Sequence, residues 1–379
     1  MRLPDLLDRR SGALAAPATA WGDLVLNQVL FAVALASALG AGFVMLSYTF
    51  IKELRSYRHQ LILGLAISDF FMAINFLWAS GIHVAGGDLA LPKNNTTCNV
   101  NGFLTQLFVV QTDWWILVIA IATYIILGNF KAASQYIQSN IWIPWLPPWI
   151  MSIIIALVCQ LALGYGYIGG WCWITSDLNR LLINFIPRWA IVIAIALIYA
   201  RLYMIVRKAR KWDMEDRNPT PSDEMADTSV ILVSIKQKRD TIGQTAKDSQ
   251  PYDSGGDLSS YSRERDRDRD EIIRSANLSR SHGQTQPLNV AQLKRIAKKM
   301  MVYPVAYAII WACPTAIRIY QGVTGERAPL WVTIIDKSCI VVQGLVDAVV
   351  YGLNERAWQG WRDHIQRVID KNKAGKIIG

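Results

Sequence analysis

The stretch NQVLFAVALASALGAGFVMLSYTF, Asn27–Phe50, runs for 24 residues without a charged side chain. A helix needs about 20 such residues to cross the hydrocarbon core of a bilayer, and it must pair every backbone N–H and C=O internally because no water is there to do so. Six more long apolar runs follow: Gln60–Ala85, Val100–Leu127, Ile143–Tyr165, Leu181–Val206, Ile296–Tyr320 and Pro329–Leu353. The pattern predicts an all-α membrane protein, a seven-transmembrane helix bundle with a short amphipathic eighth helix. Hydrophobic residues make up 52% of the 379 residues and charged ones 18%, a balance suited to a bilayer rather than a soluble globule. Arg2–Trp21 does not read as a secretory signal, since its apolar stretch is short and broken by Pro17, so the first span is expected to direct insertion.

Flanking Lys and Arg residues orient such a bundle, because positive charge stays on the cytoplasmic side. Lys52, Arg55 and Arg58 follow span 1; Arg207, Lys208, Arg210 and Lys211 follow span 5; Lys294, Arg295, Lys298 and Lys299 precede span 6. The alternate loops carry little beyond Lys93 and Arg327. The expected organisation is a short extracellular N-terminus over 1–23, transmembrane helices 1–5 over 24–206, a disordered cytoplasmic loop 3 over 207–293, transmembrane helices 6–7 over 294–353, and a cytoplasmic amphipathic helix and tail over 354–379. The net charge of +10 is then explained by topology and anionic lipid, with no nucleic acid as partner.

Two features bear on this orientation. Asn94 and Asn95 head overlapping N-glycosylation acceptors in a loop expected outside. Cys98 and Cys172 fall in the same oxidising compartment and are expected to form a disulfide, tying the second outer loop to the top of span 3, whereas Cys159, Cys313 and Cys339 lie within spans. Loop 3 is rich in Pro, Ser, Asp and Arg and includes the low-complexity run Arg263–Asp270; Thr241 follows a basic pair in the manner of a kinase site. After span 7, Trp358, Trp361, Ile365 and Val368 recur at three- and four-residue spacing, with Arg356, Arg362, Asp363 and Arg367 on other faces, the signature of a helix lying in the inner membrane surface.

Ionisable side chains inside spans cost several kcal/mol in lipid and so face the bundle interior. They form stripes: Asp336, Gln343, Asp347 and Tyr351 on span 7, Gln106, Asp113 and Tyr124 on span 3, and Asp69, Phe76 and His83 on span 2. At about 1.5 Å per residue they divide by depth. His83, Arg188, Arg318, Asp336 and Lys337 lie in the outer half with Trp171 and Trp173 of the second outer loop, and suggest a site for a small polar or anionic ligand; Asp113, in the deeper layer with Asp69 and Asp347, is a further candidate contact. The plainer reading is that the arginines reach headgroups and Asp336 pairs structurally. Asp69, Asp113, Gln343, Asp347 and Tyr351, with Trp311 and Pro314 of span 6, suggest a polar network that repacks on switching, or a static one.

These residues resemble a known family. Leu65-Ala66-Ile67-Ser68-Asp69 in span 2, Gly170-Trp171-Cys172-Trp173-Ile174 in the second outer loop, Tyr303-Pro304 with Trp311 and Pro314 in span 6, and Gln343–Glu355 around span 7 are together similar to the fungal G-protein-coupled receptors of the cyclic-AMP-receptor-like group, relatives of fungal glucose-sensing receptors. Span 3 has no Asp-Arg-Tyr at its end and span 7 has Asp347-Ala348 where Asn-Pro would stand, which separates the chain from rhodopsin-like receptors. The resemblance implies a multi-pass plasma-membrane protein that senses a small extracellular ligand, opens its cytoplasmic face as span 6 moves about Pro304 and Pro314, and activates a heterotrimeric G protein in cyclic AMP or nutrient signalling. Two rivals remain: a retinal-binding photoprotein with Lys337 as Schiff base and Asp113 as counter-ion, and a seven-span transporter. No nucleophile–base pair, phosphate loop or metal-ligand spacing appears, so neither an enzyme nor a cofactor is expected.

Overall fold

The structure is a computed structural model describing residues 16–17, 19–128, 130–215, 290–354 and 357–378. Most of the 1–23 tail, Thr241, the Arg263–Asp270 run, the body of loop 207–293, Glu355 and Arg356 lie outside the described residues. Two compact units are present. Met1–Ile205 with Lys294–Gly379 holds the bundle; Val206–Leu293 is the second, and its described residues, 206–215 and 290–293, are helical.

The spans form as the apolar runs predict, with longer ends. Span 1 is Ala20–Phe50, span 2 Tyr57–Val84 and span 3 Asn95–Leu127. A nine-residue helix, Lys131–Ser139, precedes span 4, Trp142–Ala162. Span 5 opens as Asp177–Arg180, passes through a wide π turn at Leu181–Phe185 and continues as Ile186–Glu215. Span 6 is Val290–Thr324. Thr19 starts span 1 properly: its hydroxyl accepts the Gly22 N–H at 3.1 Å, and Asp23 sits in the positive first turn.

Two boundaries differ from expectation. Span 4 stops at Ala162 rather than Tyr165, because Gly164 takes a positive φ of 70° and turns the chain back over the bundle. Among the described residues, six helices are long and apolar enough to cross a membrane. The seventh run crosses as two 12-residue pieces, Leu330–Val341 and Gln343–Asn354, broken at Val342. The break precedes Gly344, where span 7 presses so closely on span 1 that a Cβ would meet the Ser37 hydroxyl oxygen at 2.9 Å. Gly40 opposes it from span 1, with its absent Cβ 2.9 Å from the Leu345 Cα. The final helix, Ala357–Ile378, docks on span 1: the Trp361 indole N–H donates to Ser47 Oγ at 2.8 Å and its ring stacks on Phe43.

Charge and amide groups point inward while the outer surface is greasy: Leu39, Leu161, Leu197 and Ile309 are all well exposed. That inversion relative to a soluble protein fits a lipid solvent. Spans 2 and 3 meet at Gly64, whose missing Cβ would stand 2.2 Å from the Trp115 ring. Gly64→Ala is expected to lower the melting temperature of the detergent-solubilised protein, at a cost of about 1–3 kcal/mol from overpacking. Gly322→Ala, where an added Cβ meets nothing within 4 Å, should not lower it.

Candidate functional site

The site begins with the loop after span 4. Tyr167 and Cys172 pair as a two-stranded hairpin with Gly166 and Trp173, and Gly169 and Gly170 turn it with φ of 87° and 85°. Only glycine adopts two such values in succession without strain, so the pair sets the turn. Cys172 is bonded to Cys98 at the start of span 3, and its N–H donates to Asn101 Oδ1 at 2.8 Å. Asn101 is held in turn by reciprocal amide bonds to Asn75 of span 2. The hairpin is thereby fixed as a plug: Ile168, Trp171, Cys172, Trp173 and Ile174 are all at most 1% exposed.

The plug takes up several residues expected to face a ligand. Lys337 donates to the Ile168 and Gly169 carbonyls at 2.9 and 2.7 Å and lies 4.7 Å from the centre of the Trp171 ring. Trp171 leans on Phe76, and the Trp173 N–H donates to Gln106 Oε1 at 2.6 Å. His83 stacks on Tyr167, 3.6 Å from Asp23, apart from the other candidates. Tyr167 donates to Asp23 and accepts the Gly170 N–H; burial first, and Asp23 second, push its phenol above the ordinary range, so it remains a donor.

Below the plug lies a pair that the depth argument had divided between two layers. Arg188 of span 5 grips Asp113 of span 3 with two bonds, Nε to Oδ1 at 2.8 Å and Nη2 to Oδ2 at 3.0 Å. Arginine's long side chain crosses the depth difference that a count of backbone rises separated. Tyr307 of span 6 hydrogen-bonds both, and the guanidinium lies flat on Trp311, 3.3 Å from the ring centre. The chain continues: Trp311 Nε1 donates to Gln343 Oε1 at 3.2 Å, and Gln343 Nε2 to Asp69 Oδ1 at 3.2 Å, with the carboxyl of Asp347 interacting electrostatically with that of Asp69. Five spans are joined by this run of buried polar groups. Tyr351 packs edge-on against His59 farther along span 7.

Arg318 and Asp336 pair at 2.7 Å, joined by Gln321 and, at 3.8 Å, Asp177. Tyr307, Asn184, Asp177 and Arg180 were not anticipated. Arg180, Asn184 and Arg188 recur at steps of four, a helical stripe that was visible once span 5 was started earlier, and Tyr307 stands one turn before Trp311. At the opposite end of the bundle a cavity of about 400 Å³ lies between spans 2, 3 and 6, lined by Arg58, Leu61, Thr123, Ile126, Lys299 and Met300 among others. Lys299 and Asn354 bond reciprocally beside it, fastening span 6 to the end of span 7.

Comparison with known proteins agrees with this arrangement. Residues 24–212 match the family described as G protein-coupled glucose receptor regulating Gpa2, and residues 289–360 match that family's C-terminal part. The chain belongs to this family of G-protein-coupled receptors. It is 67% identical to the ascaroside receptor GPR2 of Arthrobotrys oligospora over the whole of both chains. A second relative in that fungus, ascaroside receptor GPR3, is 34% identical over 92% of this chain and 89% of its own. Squid rhodopsin superposes with a TM-score of 0.57 at 15% identity, covering 93% of this chain and 87% of that one, which speaks to the fold alone. Receptor membership displaces the photoprotein and transporter alternatives, and the geometry agrees: Arg188, not Lys337, is the cation on Asp113.

Removing Asp113 alone leaves a buried guanidinium unpaired. Asp113→Ala is expected to destabilise the receptor by about 3–5 kcal/mol in thermal unfolding, whereas Asp113→Leu combined with Arg188→Met, which removes both charges, recovers most of that loss.

Proposed function

We propose that this receptor detects a small extracellular ligand at the disulfide end of its bundle and signals through a Gpa2-type heterotrimeric G protein to cyclic AMP. In this reading it sits in the plasma membrane with its N-terminus outside and its C-terminus in the cytoplasm. The observation that supports the reading is the unbroken polar run Asp113–Arg188–Trp311–Gln343–Asp69, which couples spans 3, 5, 6, 7 and 2 across the middle of the bundle. A ligand that shifts the hairpin, and with it Trp173, Gln106 and Asn184, changes how Arg188 meets Asp113 and Trp311. Pro314, which lacks the N–H that would bond to Ile310, gives span 6 its bend point three residues on. Asp69, Asp347 and Tyr351 repack as spans 6 and 7 part, and the 400 Å³ cavity widens to admit the G protein. The ascaroside receptors among the relatives make ascarosides the first ligands to try; the family's description adds glucose. Of the two acceptors for glycosylation, Asn95 is the better, since the Asn94 amide already donates to Asp88 O at 2.6 Å.

The test is nucleotide exchange on a purified Gpa2-type Gα by the receptor in lipid nanodiscs, with ascarosides and glucose as ligands. Ligand-stimulated exchange that is lost in Asp113→Asn is expected. Asn354→Ala, which removes one half of the fastening to Lys299, should raise ligand-free exchange by about fivefold, the effect of losing about 1 kcal/mol of closed-state contact. Absence of exchange under every ligand, on this and other Gα subunits, would contradict the proposal.

A further inference from the structure

Around the outer side of the plug the buried charges form an alternating row. Arg180 meets Asp177, Asp177 lies 3.8 Å from Arg318, Arg318 bonds Asp336 at 2.7 Å, and Lys337 follows in sequence and interacts electrostatically with Arg318, Asp336 and Arg180. The row holds three cations and two carboxylates and ends in a cation on both sides. Arg180 and Lys337 have no exposed surface and Arg318 is 5% exposed. A buried charge is tolerated where it is paired and hydrogen-bonded.

The two ends differ in how they are satisfied. Lys337 has two peptide carbonyls, the Trp171 ring and the field of Asp23. Asp23 is itself held by Tyr167 and His83 and is not among the groups acting on Arg180. Arg180 is in ion-pair contact with Asp177, which is shared with Arg318, and none of its Nε, Nη1 and Nη2 has a hydrogen-bond partner among the described residues. Its guanidinium also stands 5.9 Å from the Trp173 ring centre, a face that favours a cation but supplies no acceptor for those N–H groups.

We infer that a small monoanion, a carboxylate in its simplest form, docks at Arg180 and completes the row as its sixth member. Asp177, the carboxylate in contact with Arg180, keeps 16% side-chain exposure, so the row comes to the surface beside Arg180. Through Trp173, Gln106 and Asn184 the same anion would bear on the span 5 stripe that carries Arg188, four residues beyond Asn184. The inference deepens the ligand reading above and rests on it: the ligand, or a small anion acting beside it, contributes an acidic group at this point.

The experiment is thermal unfolding of the purified receptor in sodium acetate, in the sodium salt of the bulky sulfonate MES at equal ionic strength, and in that salt with added methyl acetate, the uncharged relative of acetate. A melting temperature several degrees higher in acetate, absent with methyl acetate, lost in Arg180→Gln and retained in Arg327→Gln, an exposed arginine at the same end, is expected. Where Arg180→Gln does not fold, the acetate and methyl acetate comparison on the wild type decides, with Arg180→Lys expected to keep a weakened shift. Equal melting in all three media, or a shift that Arg180→Gln leaves intact, would overturn the site. Nucleotide exchange on the same samples separates the sources: exchange raised by acetate assigns the position to the ligand's own carboxylate, and stabilisation without exchange assigns it to a resident anion. Failure of all G-protein coupling would count against the proposed function while the melting comparison still decides the anion site.

Discussion

Arg188 has no exposed surface, and a guanidinium in that position depends on what surrounds it. Two bonds to Asp113, one to Tyr307 and the face of Trp311 hold it from spans 3 and 6, with Nη1 left without a hydrogen-bond partner among the described residues, so one side chain ties three helices together. Replacing such a pair by apolar groups is often neutral or stabilising, so its presence points to specificity more than to stability. A directional link that holds in one arrangement and weakens in another suits a protein required to have two states. The receptor family to which the chain belongs demands that property.

The plug and the opposite end complete the logic. The disulfide, the Asn75–Asn101 exchange and the Gly169-Gly170 turn hold the hairpin where it buries Lys337 and reaches Gln106. At the far end, spans 6 and 7 are fastened by Lys299 and Asn354 beside a preformed cavity. Between them, Arg188, Asp113, Trp311, Gln343 and Asp69 are in side-chain contact across five spans. Span 1 is packed closely on span 7 at Gly40 and Gly344, and span 2 on span 3 at Gly64, while Arg188 and Trp311 join spans 5 and 6 directly.

Much of the fold was legible in the sequence because the bilayer imposes one rule, that a spanning segment be long, apolar and helical. The seven runs, the disulfide and the final amphipathic helix followed from it. The break at Val342 did not, since a one-residue interruption leaves hydropathy unchanged. The inward stripes correctly identified Asp69, Asp113, Gln343 and Asp347 as buried polar groups. Which partner each would take was not legible: Arg188 descends to Asp113, and Trp171 and Trp173 are packed within the plug instead of facing an open mouth. Those outcomes depend on side-chain reach and on loop conformation, neither of which helical periodicity encodes. Arg180 was missed because it lies just before the apolar run, although its four-residue spacing to Asn184 and Arg188 was present.

Activation of a G protein is expected to open this bundle at its cavity end. Spin labels at Tyr136→Cys and Met301→Cys, both exposed at that end, report the separation of span 6 from the helix between spans 3 and 4 by pulsed electron resonance, in a background where Cys159, Cys313 and Cys339 are replaced. The distance distribution is expected to lengthen by about 5 Å or more when ligand and nucleotide-free Gα are both present. An unchanged distribution in a sample that is exchanging nucleotide would contradict it.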